Sequence, residues 1–349
     1  MIRFIGQRLA QSFVILFGVV STVFALFMLI PGDPARLALG QKGDEATLAA
    51  MRKDMGLDKS KLQQYFLYLN DLSPIGTVAS QDSIQTKLKL LQVNKEKTLA
   101  LKLPWLRISY QSGRPVSSSL TQAFVNTIIL ATAAFGISTI FGVLFGVLSA
   151  LYRNKWQDAV IMSIANVGIS VPSFFAAIVI AWVFGFLLHS ITGLPMYGSL
   201  YDIHPFKGSY IAWHHLILPA IALGIRPLSV ITQLTRSSMI DVLHQDYIRT
   251  ARAKGLTPRL IYYRHALLNA LNPVLTSVSG WFASLLSGAF FIEFIFGWNG
   301  LGKLTVDALL TSDLPLIMGA VLSIAIIFVF INIIVDVLYA WIDPRIRNY

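Results

Sequence analysis

An uncharged run at residues 13–30 is the feature that most restricts how this chain can fold. At about 1.5 Å per residue, a helix of that length just crosses a hydrocarbon core about 30 Å thick. Five further stretches repeat the pattern, at 127–151, 159–189, 213–234, 274–292 and 314–340, and only Arg226 and Asp336 bring a charge into any of them. The expected fold is therefore an all-α integral membrane protein with six transmembrane helices. Composition agrees, because 55% of the 349 residues are hydrophobic and 13% are charged, whereas a soluble domain carries about a quarter charged.

The charges that remain lie beside the apolar runs. Arg3, Arg8, Arg153, Lys155, Arg345 and Arg347 flank them, and six more (Arg236, Arg249, Arg252, Lys254, Arg259, Arg264) fall in one segment. The opposite short connections hold only Lys207 and Lys303. This asymmetry puts both termini and the basic segment inside, and it explains the formal charge of +11 without nucleic acid. A basic start before an apolar run also resembles a signal peptide, but residues 13–30 are too long and no small-residue cleavage site follows, so a retained span is expected. The chain has no cysteine, which excludes disulfides, thiolate metal sites and a cysteine nucleophile.

Between the first two runs lies the one soluble-looking part, with residues 55–58 and 63–72 reading as short amphipathic helices. Tyr65, Phe66, Leu69 and Leu72 recur at helical spacing and, with Trp105, could cover a small core. The lysine-rich piece 87–102 reads as an inserted, solvated loop. Gly136, Gly142 and Gly146 in the second span permit close helix packing. Pro172 should break the third apolar stretch into an approach helix and a span. His214 and His215 are adjacent and so point about 100° apart on a helix, which favours an interfacial role over a shared ligand. Arg226 lies deep in the fourth span, where a charge costs roughly 3 kcal/mol or more. It must either line a water-filled path or pair with a partner subunit.

The segment 246–273 carries the strongest local punctuation. Asp246 reads as an N-cap, residues 247–254 as two helical turns and Gly255 as the left-handed residue that ends them. Thr257 then caps a new helix with Pro258 in its first position. Ala251 and Ala253 keep part of the short helix thin, as a knob seated in a groove of another protein would require. The alternative is a basic loop that only fixes orientation.

These residues carry a resemblance. The run Tyr247-Ile248-Arg249-Thr250-Ala251-Arg252-Ala253-Lys254-Gly255, followed by Arg264-His265-Ala266-Leu267 and Asn269-Ala270-Leu271, resembles the coupling loop of permease subunits of binding-protein-dependent ABC importers, in the oligopeptide/dipeptide/nickel branch. The general permease pattern is E-A-A, three residues, Gly, nine residues, then I-x-L-P. Aligned on Gly255, only Ala251, Gly255 and Leu267 keep its residues, so the likeness is to the peptide branch. Pro31-Gly32-Asp33-Pro34, Ser112-Gly113-Arg114-Pro115-Val116, Val171-Pro172-Ser173-Phe174, Leu234-Thr235-Arg236-Ser237-Ser238-Met239, Asn299-Gly300-Leu301-Gly302 and Asp343-Pro344-Arg345 are similar to further landmarks of that branch, in order.

The resemblance implies a type I importer permease with an N-terminal transmembrane helix at 1–30, a sizeable extracytoplasmic loop region at 31–121 and a five-helix core at 122–349 containing a cytoplasmic coupling loop at 237–272. It implies a second permease subunit, two cytoplasmic ATPase subunits and an extracytoplasmic solute-binding protein. ATPase coupling would fall to Tyr247, Arg249, Thr250, Ala251, Arg252, Ala253, Lys254, Gly255, His265 and Asn269. The chain has no G-x-x-x-x-G-K-S/T loop, so no nucleotide cofactor and no enzymatic activity of its own are expected. An ion-coupled secondary transporter is the competing reading, although such proteins usually carry carboxylates at mid-membrane.

Overall fold

The computed structural model describes residues 2–29, 35–36, 44–54, 56–79, 86–92, 97–204 and 208–342. Pro31-Gly32-Asp33-Pro34, Lys207 and Asp343-Pro344-Arg345 lie outside the described residues. The chain is mostly helical and falls into two compact units.

The first unit comprises Met1–Arg8, Ala123–Lys303 and Ile327–Tyr349; the second comprises Leu9–Gln122 and Leu304–Ile326. Three long helices contribute to both: α1 (Ile2–Leu29), α4 (Val116–Leu151) and α14 (Leu314–Ile342). Before α4 the described residues also form α2 (Glu45–Asp54) and α3 (Lys61–Leu72). After it come α5 (Trp156–Ser170), α6 (Ser173–Ile180) extended by a π-helical segment Ala181–Leu187, and the short α7 (His189–Thr192). A hairpin and α8 (His214–Leu243) follow. Then come α9 (Asp246–Ala253), α10 (Pro258–Leu260), a π-helical segment Ile261–Ala266, α11 (Leu267–Gly288), α12 (Phe290–Phe296) and α13 (Leu301–Leu310).

Among the described residues, four helices can cross a membrane by length and composition: Gly6–Leu26, Val116–Leu151, His214–Leu243 and Leu314–Val335. A fifth is added if α5 and the Ser173–Leu187 helix, bent by 114°, count as one span. That bend falls at Val171 and Pro172, where the sequence places it, because a residue before proline is pushed out of the helical region. Residues 274–292 do not form one helix; α11 stops at Gly288 and α12 restarts at Phe290.

In the second unit the sequence expectation holds for α3 and fails beside it. Ser60 and Gln63 form a reciprocal capping box at the start of α3. Its inward anchor is Tyr68, which packs with Val20 and Leu322, joined by Leu69, Leu72 and Leu106; Phe66 points outward. Residues 56–58 are a turn with Gly56 at φ +69, not a helix. The piece 87–102, expected as a solvated loop, instead supplies two strands of an antiparallel sheet. β1 (Ile75–Ala79) and β2 (Thr86–Gln92) flank β3 (Lys97–Lys102), with Thr98 and Lys102 buried. Its lysines favoured the solvated reading, although Lys87-Leu88-Lys89-Leu90 has the alternation of a strand. Elsewhere in this unit the buried Asp313 carboxylate accepts hydrogen bonds from the Ser109 hydroxyl and the Tyr110 and Gln111 amides, which ties down the stretch before α4.

In the first unit, α8 packs against α5, α6 and α11 around a core that includes Leu130, Ala134, Ala177, Leu218, Phe296 and Trp298. Small residues set how closely its helices approach. A Cβ on Gly142 would lie 2.8 Å from Ile231, one on Gly146 2.5 Å from Thr235, and one on Gly168 2.2 Å from the Ser229 hydroxyl. Gly136 has open space, so two of the three expected packing glycines of α4 make that contact.

At one end of this unit the Gly297-Trp298-Asn299-Gly300-Leu301-Gly302 turn closes over Glu293, which is fully buried. Its carboxylate accepts from the Thr127 hydroxyl at 2.7 Å, the Gly302 amide at 2.6 Å and the Lys303 amide at 3.3 Å. Trp298 donates its indole N–H to the Asn126 carbonyl at 2.9 Å, and Asn126 donates to the Asn299 carbonyl at 2.8 Å. A side chain on Gly300 would enter the carboxylate itself, because its Cβ would sit 2.2 Å from Glu293 Oε1.

Candidate functional site

α9 begins with Asp246 in its first turn and Gln245 at the capping position, one residue earlier than the sequence suggests. Its end matches the expectation. Gly255 takes φ +79, its amide donates to the Arg252 carbonyl at 3.0 Å and the Leu256 amide donates to the Ala251 carbonyl at 3.3 Å. These two bonds are a Schellman motif, which satisfies carbonyls that the last turn would otherwise leave open. A left-handed residue is required there and only glycine takes it freely. Thr257 and Pro258 then start the next helix as expected, although the Thr257 side chain makes no capping bond.

The two faces of α9 differ sharply. Ile248 and Ala251 are buried in a cluster with Val147 and Ala150 of α4, Met239 of α8, Ile261 and Ala266 of the π-helical segment and Ala270 of α11. Tyr247, Arg249, Thr250, Arg252, Ala253 and Lys254 are exposed. The expected thin alanine face is therefore divided: Ala251 packs inside this chain and Ala253 faces outward. Ile248 is the anchor that the sequence reading passed over; its signal is the pair of apolar residues at i and i+3 on one helix face.

Polar contacts hold the exposed edge of α9 to α11. Asn269 donates its amide to the Tyr247 hydroxyl at 3.0 Å and to the His265 carbonyl at 2.9 Å. The structure thus joins Tyr247, His265 and Asn269, which lie far apart in sequence. The His265 ring makes no contact in that group; its backbone oxygen does. Arg249 reaches Asp246 at 3.5 Å, but both side chains are largely exposed, and such pairs are worth little. The outward surface is consequently basic, with Arg252 and Lys254 beside Arg249.

Arg236 stands apart from that surface. It belongs to the basic segment of the sequence, yet it turns inward and binds Asp158 of α5 with both arms of its guanidinium. Nε lies 2.8 Å from Oδ1 and Nη2 lies 2.7 Å from Oδ2. The Ser149 hydroxyl of α4 donates to the same carboxylate, and the Asn154 amide donates at 3.1 Å from the turn between α4 and α5. Asn154 holds φ +63, a left-handed conformation that Asn tolerates. The side chain of Asp158 is 7% exposed and that of Arg236 is 25% exposed.

Arg226 is exposed on α8, between the partly buried Ile225 and the buried Pro227. It shares one face of the helix with Val230, Gln233 and Ser237, at helical spacing. The structure does not bring it near α9. His215 donates its Nδ1–H to the Ser199 carbonyl, at 2.8 Å, and its ring lies edge-on to that of His214. Among the described residues no group of three His, Cys, Asp or Glu could hold a metal ion.

Comparison with known proteins places this architecture. Residues 142–348 match the family described as the binding-protein-dependent transport system inner membrane component, and residues 1–131 match the N-terminal region of the same kind of membrane component. The dipeptide transport system permease protein DppB of Alkalihalophilus pseudofirmus is 35% identical, over 99% of this chain and all of that protein. The glutathione transport system permease protein GsiC of Pectobacterium atrosepticum is 34% identical, over 99% of each chain. Among solved structures, an inward-facing form of the MetNI methionine ABC transporter superposes with a TM-score of 0.52 at 17% identity, covering 65% of this chain and 97% of that one. At that identity the likeness concerns the fold alone.

These matches favour the ATP-driven reading over the ion-coupled one. They describe a multi-pass membrane component that works with an ATPase and a solute-binding protein and is not itself an enzyme. The chain belongs to the binding-protein-dependent transport system inner membrane component family, as a permease subunit of an ABC importer of the dipeptide/oligopeptide branch.

Proposed function

We propose that this permease subunit forms half of a translocation path for small peptides, and that α9 is the element through which a cytoplasmic ATPase moves it. The observation that carries the reading is the two-sidedness of α9. Ile248 and Ala251 fix it to the inner ends of α4, α8 and α11, while Arg249, Arg252 and Lys254 face outward. A helix held by apolar packing on one face and by the Gly255 corner at its end transmits a push to the helices beneath it; a free loop would dissipate it. The relatives are named for transport of dipeptides and of glutathione, both small peptides, and this supports a peptidic solute.

In the same reading the chain spans a bacterial or archaeal inner membrane six times. Both termini and the loop 237–272 lie in the cytoplasm, and residues 31–121 lie outside. A second, similar permease chain completes the path, and the solute-binding protein delivers the cargo. Arg226 lines that path, since a deep positive charge exposed on its helix needs water, an anion or a partner. A peptide's terminal carboxylate is an anion it would attract.

The test is photocrosslinking from position 250 in the assembled importer. The expected product joins this chain to the ATPase, with a yield that changes when nucleotide binds. Absence of such a product in a complex that transports dipeptide with vanadate-sensitive ATP use would remove α9 from the coupling role. Separately, Arg226→Leu is expected to change the preference between peptides with free and amidated C-termini; an unchanged preference would assign Arg226 to a subunit contact.

A further inference from the structure

We propose that Asp158 and Arg236 are a positioning pair for transport: a two-point joint that carries displacement of α9, by way of α8, into α5. The inference rests on the reading of α9 as the helix the ATPase moves.

Only His244 and Gln245 separate α8 from α9, so a shift of α9 is a shift of the end of α8. α8 meets α5 in three ways. Gly168 lets the Ser229 hydroxyl approach closely, Gln233 donates to Asn166 at 2.9 Å, and Arg236 grips Asp158. The first is a van der Waals contact along which helices can slide. The second is exposed to competing solvent. The third is directional, because a guanidinium fork on a carboxylate fixes both separation and rotation. It lies in the first turn of α5, at the end nearest α9, where a lever is best moved.

The remaining oxygen capacity of Asp158 is taken by Ser149 and by the Asn154 amide. One carboxylate therefore gathers the end of α4, the α4–α5 turn, α5 and α8. The far end of α5 meets the 114° bend into the Ser173–Leu187 helix, so rotation of α5 re-aims that helix. An ion pair of this kind is a poor source of stability, because desolvation offsets much of its attraction, but a good way to fix register between elements. Arg236 sits in a basic segment where an outward arginine could have served the charged surface. Its inward orientation suits the joint better.

The pair is tested in the complete importer, with its ATPase and solute-binding protein, in proteoliposomes, by dipeptide transported per ATP hydrolysed. Asp158→Asn keeps one oxygen for the Asn154 amide and an NH2 that the Ser149 hydroxyl can accept from, but removes the ionic fork. Arg236→Lys keeps the charge but not the second arm. The expected result is complex recovery within twofold of wild type and ATP hydrolysis within threefold. Transport per ATP should fall at least tenfold for Asp158→Asn and several-fold for Arg236→Lys. Since the chain has no cysteine of its own, spin labels introduced at Ile164 on α5 and Ser237 on α8 provide a second readout. Their separation should stay fixed through the nucleotide cycle in wild type and vary in Asp158→Asn. Unchanged transport per ATP in both variants would overturn the proposal, as would loss of both from the membrane, which would leave the pair a purely structural role. Arg249→Glu/Arg252→Glu, measured in parallel, separates the two readings. If it keeps full coupling, the role of α9 fails; if it uncouples while Asp158→Asn does not, only the joint fails.

Discussion

Asp158 and Glu293 are both buried carboxylates of the same unit, and they are satisfied in different ways. Asp158 faces a full positive charge on Arg236, together with a hydroxyl and one amide. Glu293 is cradled by a hydroxyl and two backbone amides under a glycine turn. A charge matched by a charge depends on both partners being present. A group matched by dipoles depends mainly on shape. The first arrangement suits an element that must keep its register while moving, and the second suits one that must hold a turn in place.

The contrast can be broken by substitution. Arg236→Leu should do most damage, because it leaves Asp158 buried without its counter-ion, at a cost of about 3–5 kcal/mol. The amount and melting temperature of the solubilised protein report it. Gly300→Ala comes next. Its new methyl group collides with Glu293, and overpacking of a rigid site costs about 1–3 kcal/mol. Gly255→Val should cost a similar amount or less, through backbone strain alone, since no atom lies within 4 Å of the added Cβ. Its signature is a fall in uptake per ATP with membrane insertion unchanged. Glu293→Gln should be mildest, at about 1 kcal/mol. The new carbonyl can still accept from Gly302 and Lys303, while the new amide donates to Thr127. If Glu293→Gln proved as damaging as Arg236→Leu, the distinction between the two carboxylates would be wrong.

Local signals in the sequence were faithful where short-range chemistry decides. The Gly255 corner, the restart at Thr257 and Pro258 and the break at Pro172 were all legible, because positive φ and proline sterics act within a few residues. The pairing of Arg236 with Asp158 was not, since nothing near either residue indicates a partner on another helix. The inward orientation of Ala251 was missed for a related reason. Alanine suits a thin outer surface and a tight inner contact equally, and only the burial of Ile248 one turn away distinguishes them. The strands of 75–102 were overlooked although Lys87-Leu88-Lys89-Leu90 alternates polar and apolar residues, because the density of lysine made the piece read as a solvated loop.

Both carboxylates are also bonded to one continuous helix. Glu293 takes the hydroxyl of Thr127 and Asp158 that of Ser149, and the two lie roughly 33 Å apart along α4 at about 1.5 Å per residue. That spacing is close to the hydrocarbon thickness of a bilayer, about 30 Å. α4 is thus a ruler with a polar fastening at each end. Lipids whose acyl region outgrew it would pull one fastening into oil, so activity should peak at a matched chain length and fall on either side.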